Sequence, residues 1–185
     1  MKNFTSSKDI SEKSDEAKTI ALNKGFESLN LHANLQSNLK ELGFVKMTPI
    51  QKLSLPKIIA GNDIIAKAKT GSGKTAAFGL GLLNKLDVKK FRIQSLTLCP
   101  TRELADQVAK EIRTLGRKIH NIKVTTLCGG SAFGPQKGSL EHGAHIVVGT
   151  PGRIEEHLRK KTLLLEQLDT LVLDEADRML DMGFG

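Results

Sequence analysis

Two clusters of residues carry the means for chemistry, and they stand a hundred positions apart. The first is Ala68-Lys69-Thr70-Gly71-Ser72-Gly73-Lys74-Thr75. Glycines let successive backbone N–H groups turn inward onto phosphate oxygens, and a helix that starts there adds partial positive charge. Lys74 is suited to neutralising the β and γ phosphates of a nucleotide, and Thr75 to holding Mg2+ through its hydroxyl. The strict phosphate-loop pattern has glycine where Ala68 stands, but its Gly73-Lys74-Thr75 core is intact. The second cluster is Asp174-Glu175-Ala176-Asp177, which follows the apolar run Leu171-Val172-Leu173. Open parallel sheets bind ligands at the C-terminal ends of their strands. A carboxylate there, Asp174, can hold Mg2+ through water, and Glu175 can orient and deprotonate an attacking water. A glycine turn or an acidic strand end is common alone. Together on one chain, with several strand–helix units between them, they point to nucleotide hydrolysis.

The elements that must position these clusters follow from periodicity. Leu35, Leu39 and Leu42 recur at helical spacing before Gly43, a helix with a glycine stop. Pro49 opens a second helix through Leu53, Ile58 and Ile59, closed by Gly61. Asp63 to Ala66 reads as a short buried strand, and the glycine loop leads from it into a helix beginning at Lys74. Further strands are expected at 95–99, 122–127, 144–148 and 170–173, with helices from Arg102 to about His120, after Ser131, and from Pro151 to Lys160. Such alternation argues an α/β fold with a mostly parallel sheet covered by helices on both faces. Residues 1–24 are rich in Ser, Lys, Asp and Glu and are expected to form a disordered tail, with the domain beginning at residue 25.

Composition narrows the partners. The 185 residues carry a net charge of +8, which suits either a polyanion or plain solubility. Seven Phe with no Tyr or Trp leave little surface for reading bases by stacking. Any nucleic acid bound here is expected to be held by its backbone. Cys99 and Cys128 form no Cys-x-x-Cys pair, so both are expected to be buried thiols. His142 and His145 are expected at a surface or strand edge. No apolar run is long enough to cross a membrane and none resembles a signal peptide, so the expected location is cytoplasmic.

Further motifs then carry a resemblance. Gly43-Phe44 with Thr48-Pro49-Ile50-Gln51, Pro100-Thr101-Arg102-Glu103-Leu104-Ala105, Gly129-Gly130, and Thr150-Pro151-Gly152-Arg153 stand in order around the two clusters. With Asp174-Glu175-Ala176-Asp177 they resemble the motifs of the DEAD-box RNA helicases, over residues 26 to 184. The wording of Ala68-Lys69-Thr70 and Leu98-Cys99-Pro100 is most similar to that family's bacterial DbpA group.

The resemblance implies a RecA-like phosphate-loop domain, the first of two in a helicase core. It implies that ATP is the nucleotide, with Gln51 reading the adenine edge and Phe26 stacking on the base. Thr48 and Thr70 would brace that site, and Gly71, Ser72, Gly73, Lys74 and Thr75 would hold the phosphates. Pro100, Thr101, Arg102, Gly129, Gly130, Thr150 and Arg153 would grip the RNA backbone, and ribosomal RNA is the implied substrate class, in ribosome assembly. Asp177 would couple the nucleotide site to a Ser-Ala-Thr segment that this sequence lacks. In the family that segment's strand lies between the glycine-loop strand and the Asp174 strand. The expectation is therefore a domain incomplete at its C-terminus and a partner domain elsewhere in the parent protein. An alternative is a binding module that holds ATP and RNA without useful turnover, because transition-state charge would go unmatched.

Overall fold

The computed structural model describes residues 25–184. The expected tail, 1–24, lies outside the described residues. Four short strands form one parallel sheet: β1 (Ser95–Leu98), β2 (Val124–Leu127), β3 (Ile146–Gly149) and β4 (Thr170–Leu173), in the order β2-β3-β1-β4. The expected α/β class with a parallel sheet is therefore the observed one. The register puts Leu127, Gly149, Leu98 and Leu173 in a single row across all four strands. The residues that follow them, Cys128, Thr150, Cys99 and Asp174, thus leave the sheet at one level. Three backbone hydrogen bonds carry the row past the strand ends: Asp174 N–H to Leu98 O at 2.9 Å, Cys99 N–H to Gly149 O at 2.9 Å, and Thr150 N–H to Leu127 O at 3.0 Å.

Both faces of the sheet are packed, as alternation along β3 shows. Ile146 and Val148 point into a large core shared with helices α1 (Ala33–Glu41), α2 (Pro49–Ile59), α3 (Lys74–Lys85) and α4 (Arg102–Leu115). Val147 points the other way, to a smaller core with Leu96, Leu127, Leu163 and Ile154 of α6 (Pro151–Arg159). The helix α5 (Phe133–Glu141) adds Leu140 to that second core, and α7 (Ala176–Asp181) follows the acidic cluster. Helix starts and stops obey local chemistry. Thr48 caps α2 with Pro49 at its first turn, Thr101 caps α4, and α4 ends at Gly116 rather than near His120. Gly43 and Gly61, with φ of 76° and 85°, follow α1 and α2 in the left-handed conformation that glycine accommodates.

One expected element is absent. Residues 62–69 form no strand, and Ile65 is fully exposed. A strand needs a neighbour to receive its N–H and C=O groups. Among the described residues the sheet ends at β4, and no strand pairs with residues 62–69. On β4 itself, Leu171 and Leu173 share the face of Leu96 and Leu98, yet they are 54% and 51% exposed. The apolar pattern of both segments suits a buried strand, but packing decides whether that pattern is used.

Of the two expected positions, surface or strand edge, His145 takes the second, at the start of β3. It is fully buried where the chain enters β3; its Nδ1 accepts from the Lys123 N–H at 3.1 Å, and its Nε2 lies 3.1 Å from Val88 O. His142, three residues earlier, is exposed. Both cysteines are buried as expected.

Candidate functional site

The glycine loop lies between the end of residues 62–69 and α3. Gly71 and Gly73 take φ of 78° and 88°, a region closed to most side chains, and this turns the backbone into the first turn of α3. Lys74 folds back over the loop, its Nζ donating to Ala68 O at 2.5 Å. Ser72 Oγ is buried without a hydrogen-bond partner among the described residues. Thr75 is half-buried at the start of α3, and Thr70 is exposed.

The N-terminus of α2 braces this loop. Thr48 and Gln51 form a reciprocal cap: Gln51 N–H donates to Thr48 Oγ1 at 3.4 Å, and Thr48 N–H to Gln51 Oε1 at 2.9 Å. The remaining amide nitrogen of Gln51 reaches across and donates to Gly73 O at 3.1 Å. Gln51 is 3% exposed, so its amide is a tie between α2 and the loop. Beside it, Phe44, Lys46, Thr48 and Gln51 line an open hollow of about 480 Å³. Phe26 lies behind this wall rather than in it. It is 2% exposed, with its ring edge-on to Phe44 at 5.6 Å, so neither ring face is open in this conformation.

The acidic cluster meets the loop from the other side. Asp174 leaves β4 at the sheet's C-terminal end and is largely buried. Burial pushes its carboxyl above the usual range; the Lys74 ammonium acts against this, and the Glu175 carboxylate adds to it. Lys74 and Asp174, distant in sequence, are therefore within electrostatic reach. Glu175 has φ 52° and ψ 48°, a left-handed conformation rare for a side-chain-bearing residue and costing about 1–3 kcal/mol. Such outliers persist where the surroundings enforce them, and this one lies at the turn into α7. The Glu175 carboxylate pairs with Arg178 at 3.3 Å, and Asp177 is exposed.

The second set of expected residues occupies the same end of the sheet, on the far side of Asp174. Pro100 is buried and Thr101 half-buried, the latter accepting from Leu104 N–H at 3.3 Å. Arg102 is half-exposed and 3.8 Å from Asp106. Gly129 and Gly130 are exposed, and Gly130 has φ 75°. Thr150 Oγ1 accepts from Gly129 N–H at 3.4 Å. Arg153 is turned inward: its Nη2 donates to Ser131 O at 3.0 Å, its Nε is 3.1 Å from Glu156, and its Nη1 is buried without a partner among the described residues. Sequence reasoning missed the side chains beneath this loop. Gln136 Nε2 donates to Cys128 O at 2.9 Å, and His157, fully buried, lies 3.3 Å from Gln136 Oε1 and stacks on Phe133. A buried polar pair on two helices leaves no local sequence signal, because their meeting depends on the packing of α5 against α6.

The family model described as DEAD/DEAH box helicase matches residues 48–185. The chain is 59% identical over 160 residues to ATP-dependent RNA helicase DbpA of Escherichia coli (strain K12), covering 86% of this chain and 35% of that protein. It is 47% identical over 159 residues to DEAD-box ATP-dependent RNA helicase CshA of Streptococcus pneumoniae serotype 4, covering 86% of this chain and 30% of that protein. Among solved structures it is similar to a DEAD box protein from the hyperthermophile Methanococcus jannaschii, with TM-score 0.82 and 43% identity, over 86% of this chain and 44% of that one. The chain thus spans about a third of the length of these curated relatives.

Proposed function

The chain belongs to the DEAD/DEAH box helicase family, and from that membership we propose that it is the ATP-binding domain, residues 25–185, of an ATP-dependent RNA helicase. The observation that carries the reading is the electrostatic coupling of Lys74 to Asp174 at the C-terminal end of the sheet, with Thr150 at the same level and Thr101, Gly129 and Gly130 in the loops just beyond the neighbouring strands. One edge can then bind a nucleotide while the neighbouring loops bind a polyanion.

In this reading the loop N–H groups from Gly71 to Thr75, with Lys74, take the ATP phosphates. The hollow beside Phe44 and Gln51 receives the adenine. Gln51 retains one N–H and one lone pair beyond its internal bonds for the base edge. Phe26 would stack on the base once a ring face is uncovered, and Thr48 and Thr70 brace the site. Thr75 and Asp174 offer one hydroxyl and one carboxylate, a set that Mg2+ accepts when water and phosphate complete it. Mg2+ held there would neutralise charge developing on the phosphate oxygens. Glu175 would take the proton of the attacking water, and Asp177 would couple the site to a Ser-Ala-Thr segment of the parent protein. Pro100, Thr101, Arg102, Gly129, Gly130, Thr150 and Arg153 meet the RNA backbone. Arg153 does so chiefly by holding the loop at Ser131.

We place the protein in the cytoplasm and take ribosomal RNA as its substrate, as the sequence resemblance to the DbpA group implies. Among the described residues no helix is long and apolar enough to cross a membrane. The test is strand separation by the full-length protein on a short RNA duplex. Separation should require ATP and fail with GTP. Equal separation without nucleotide, or none on any RNA duplex, would overturn the reading.

A further inference from the structure

The loop after β2 is pinned in a way that singles out two residues outside every motif. Peptide groups are planar, so fixing one end of a peptide fixes the direction of the other. The Cys128–Gly129 peptide is held at both ends: its C=O accepts from Gln136 Nε2 at 2.9 Å, and its N–H donates to Thr150 Oγ1 at 3.4 Å. The next pin is the Ser131 carbonyl, which accepts from Arg153 at 3.0 Å. Between the pins lie the Gly130 and Ser131 N–H groups. Neither makes a hydrogen bond among the described residues, and the pins on either side limit how the two peptides that carry them can turn.

Of these pins, Gln136 depends on one further residue. Its Nε2 must donate, because a carbonyl only accepts. Its Oε1 therefore faces His157 Nε2 at 3.3 Å, which assigns the imidazole proton to Nε2. The other ring nitrogen lies 2.8 Å from Thr162 Oγ1, and the ring face stacks on Phe133 at 4.2 Å. The ring has no freedom to turn, and so the Gln136 amide has none. Burial, with the nearby Arg153 charge, lowers the His157 pKa and favours the neutral ring, whose Nε2–H serves Gln136 Oε1.

We infer that Gln136, oriented by His157, is a positioning residue for RNA: it aims the backbone N–H groups of the Gly129-Gly130 loop at the RNA phosphates. This rests on the reading that the loop meets the RNA backbone. Gln136→Leu removes the amide while keeping the bulk, and leaves the buried Cys128 carbonyl without its donor. His157→Phe keeps the stack on Phe133 but frees the Gln136 amide.

The experiment is RNA-stimulated ATP hydrolysis by the full-length protein, titrated separately in RNA and in ATP, with thermal melting of each variant. Gln136→Leu should raise the RNA concentration for half-maximal stimulation by about tenfold, the scale of one net hydrogen bond. The KM for ATP and the rate at saturating RNA should stay within about twofold. His157→Phe should shift the RNA titration in the same direction by a smaller factor, and it carries the test if Gln136→Leu does not fold. A folded variant with the wild-type RNA titration, or an equal loss in the RNA and ATP titrations, overturns the inference. A wild-type protein indifferent to RNA defeats the underlying reading as well, so the two failures are told apart.

Discussion

The amide nitrogen of Gln51 lies 3.1 Å from the carbonyl oxygen of Gly73 and joins the cap of one helix to the glycine loop before another. The same side chain accepts from Thr48 N–H at 2.9 Å, so the start of α2 and the loop move as one unit. A residue 22 positions upstream thus sets the shape of the phosphate-facing backbone.

Gly73 is where this unit tolerates least change. It sits at φ 88°, and a Cβ there would run into the Gln51 amide. Gly73→Ala therefore meets strain of about 1–3 kcal/mol from the backbone alone. The expected outcome is at least a tenfold loss of ATP affinity, read by calorimetry, with the melting temperature falling by roughly 2–4 °C for each kcal/mol of that strain. Gln51→Ala, which leaves the loop glycines in place but cuts the tie, should show a smaller loss in the same direction.

Asn38 should matter for stability and not for chemistry. Fully buried on α1, it donates to Thr114 O at 2.9 Å and Leu115 O at 2.6 Å, closing the C-terminus of α4, and accepts from Arg117 Nε at 2.6 Å. Asn38→Leu leaves two carbonyls at a helix end without a donor, at a cost of about 1–3 kcal/mol. The melting temperature is expected to fall by roughly 2–4 °C for each kcal/mol at this chain length. Arg117→Ala should cost less, because that side chain is half-exposed.

His157 should give stability a pH dependence of known sign. Its pKa in the fold lies below the ordinary histidine value of about 6.5, first through burial and then through Arg153. The unfolded chain therefore takes up a proton at a higher pH than the folded one. Stability from this group is complete above about pH 6.5 and is lost as pH falls through the folded pKa. Glu111 and Asp174 act in the opposite sense, since burial raises both carboxyls. The difference between wild type and His157→Phe in urea midpoint, followed from pH 7.5 to 5.5, isolates the histidine. It should narrow as pH falls.

The two thiols should be silent in the fold. Burial pushes Cys99 up to about 12, with the Asp174 carboxylate adding to the effect, and raises Cys128 as well. Thiolate is the reactive form. A thiol-specific reagent at pH 8 should modify neither cysteine in the native protein and both in denaturant, as counted by mass spectrometry.

Most strands and helices could be read from the chain because local pattern and tertiary packing agree there. Leu35, Leu39 and Leu42 announce α1, and Thr170 to Leu173 is a strand in both sequence and structure. The exception is instructive. Residues 63–66 have the apolar character of a strand, but no described strand lies beside them, and periodicity cannot supply a neighbour. In the site, the positions of the glycine loop and acidic cluster at a helix start and a strand end were legible because their residues are contiguous in sequence. Roles that depend on orientation were not. The family resemblance implies RNA contact for Arg153, yet its side chain points into the loop it supports, and it implies base stacking for Phe26, yet that ring lies edge-on behind Phe44. Gln136 and His157 carry no motif, and only the packing of α5 against α6 brings them under Cys128.

The central claim is that the sheet end joining Lys74 to Asp174 hydrolyses ATP in response to RNA bound along the same row. Steady-state ATP hydrolysis by the full-length protein, with and without RNA, tests it most directly. The account predicts a rate that rises at least tenfold with RNA and is abolished by Lys74→Ala and by Glu175→Gln. An ATPase rate that is the same with and without RNA, or that survives Lys74→Ala, would contradict it.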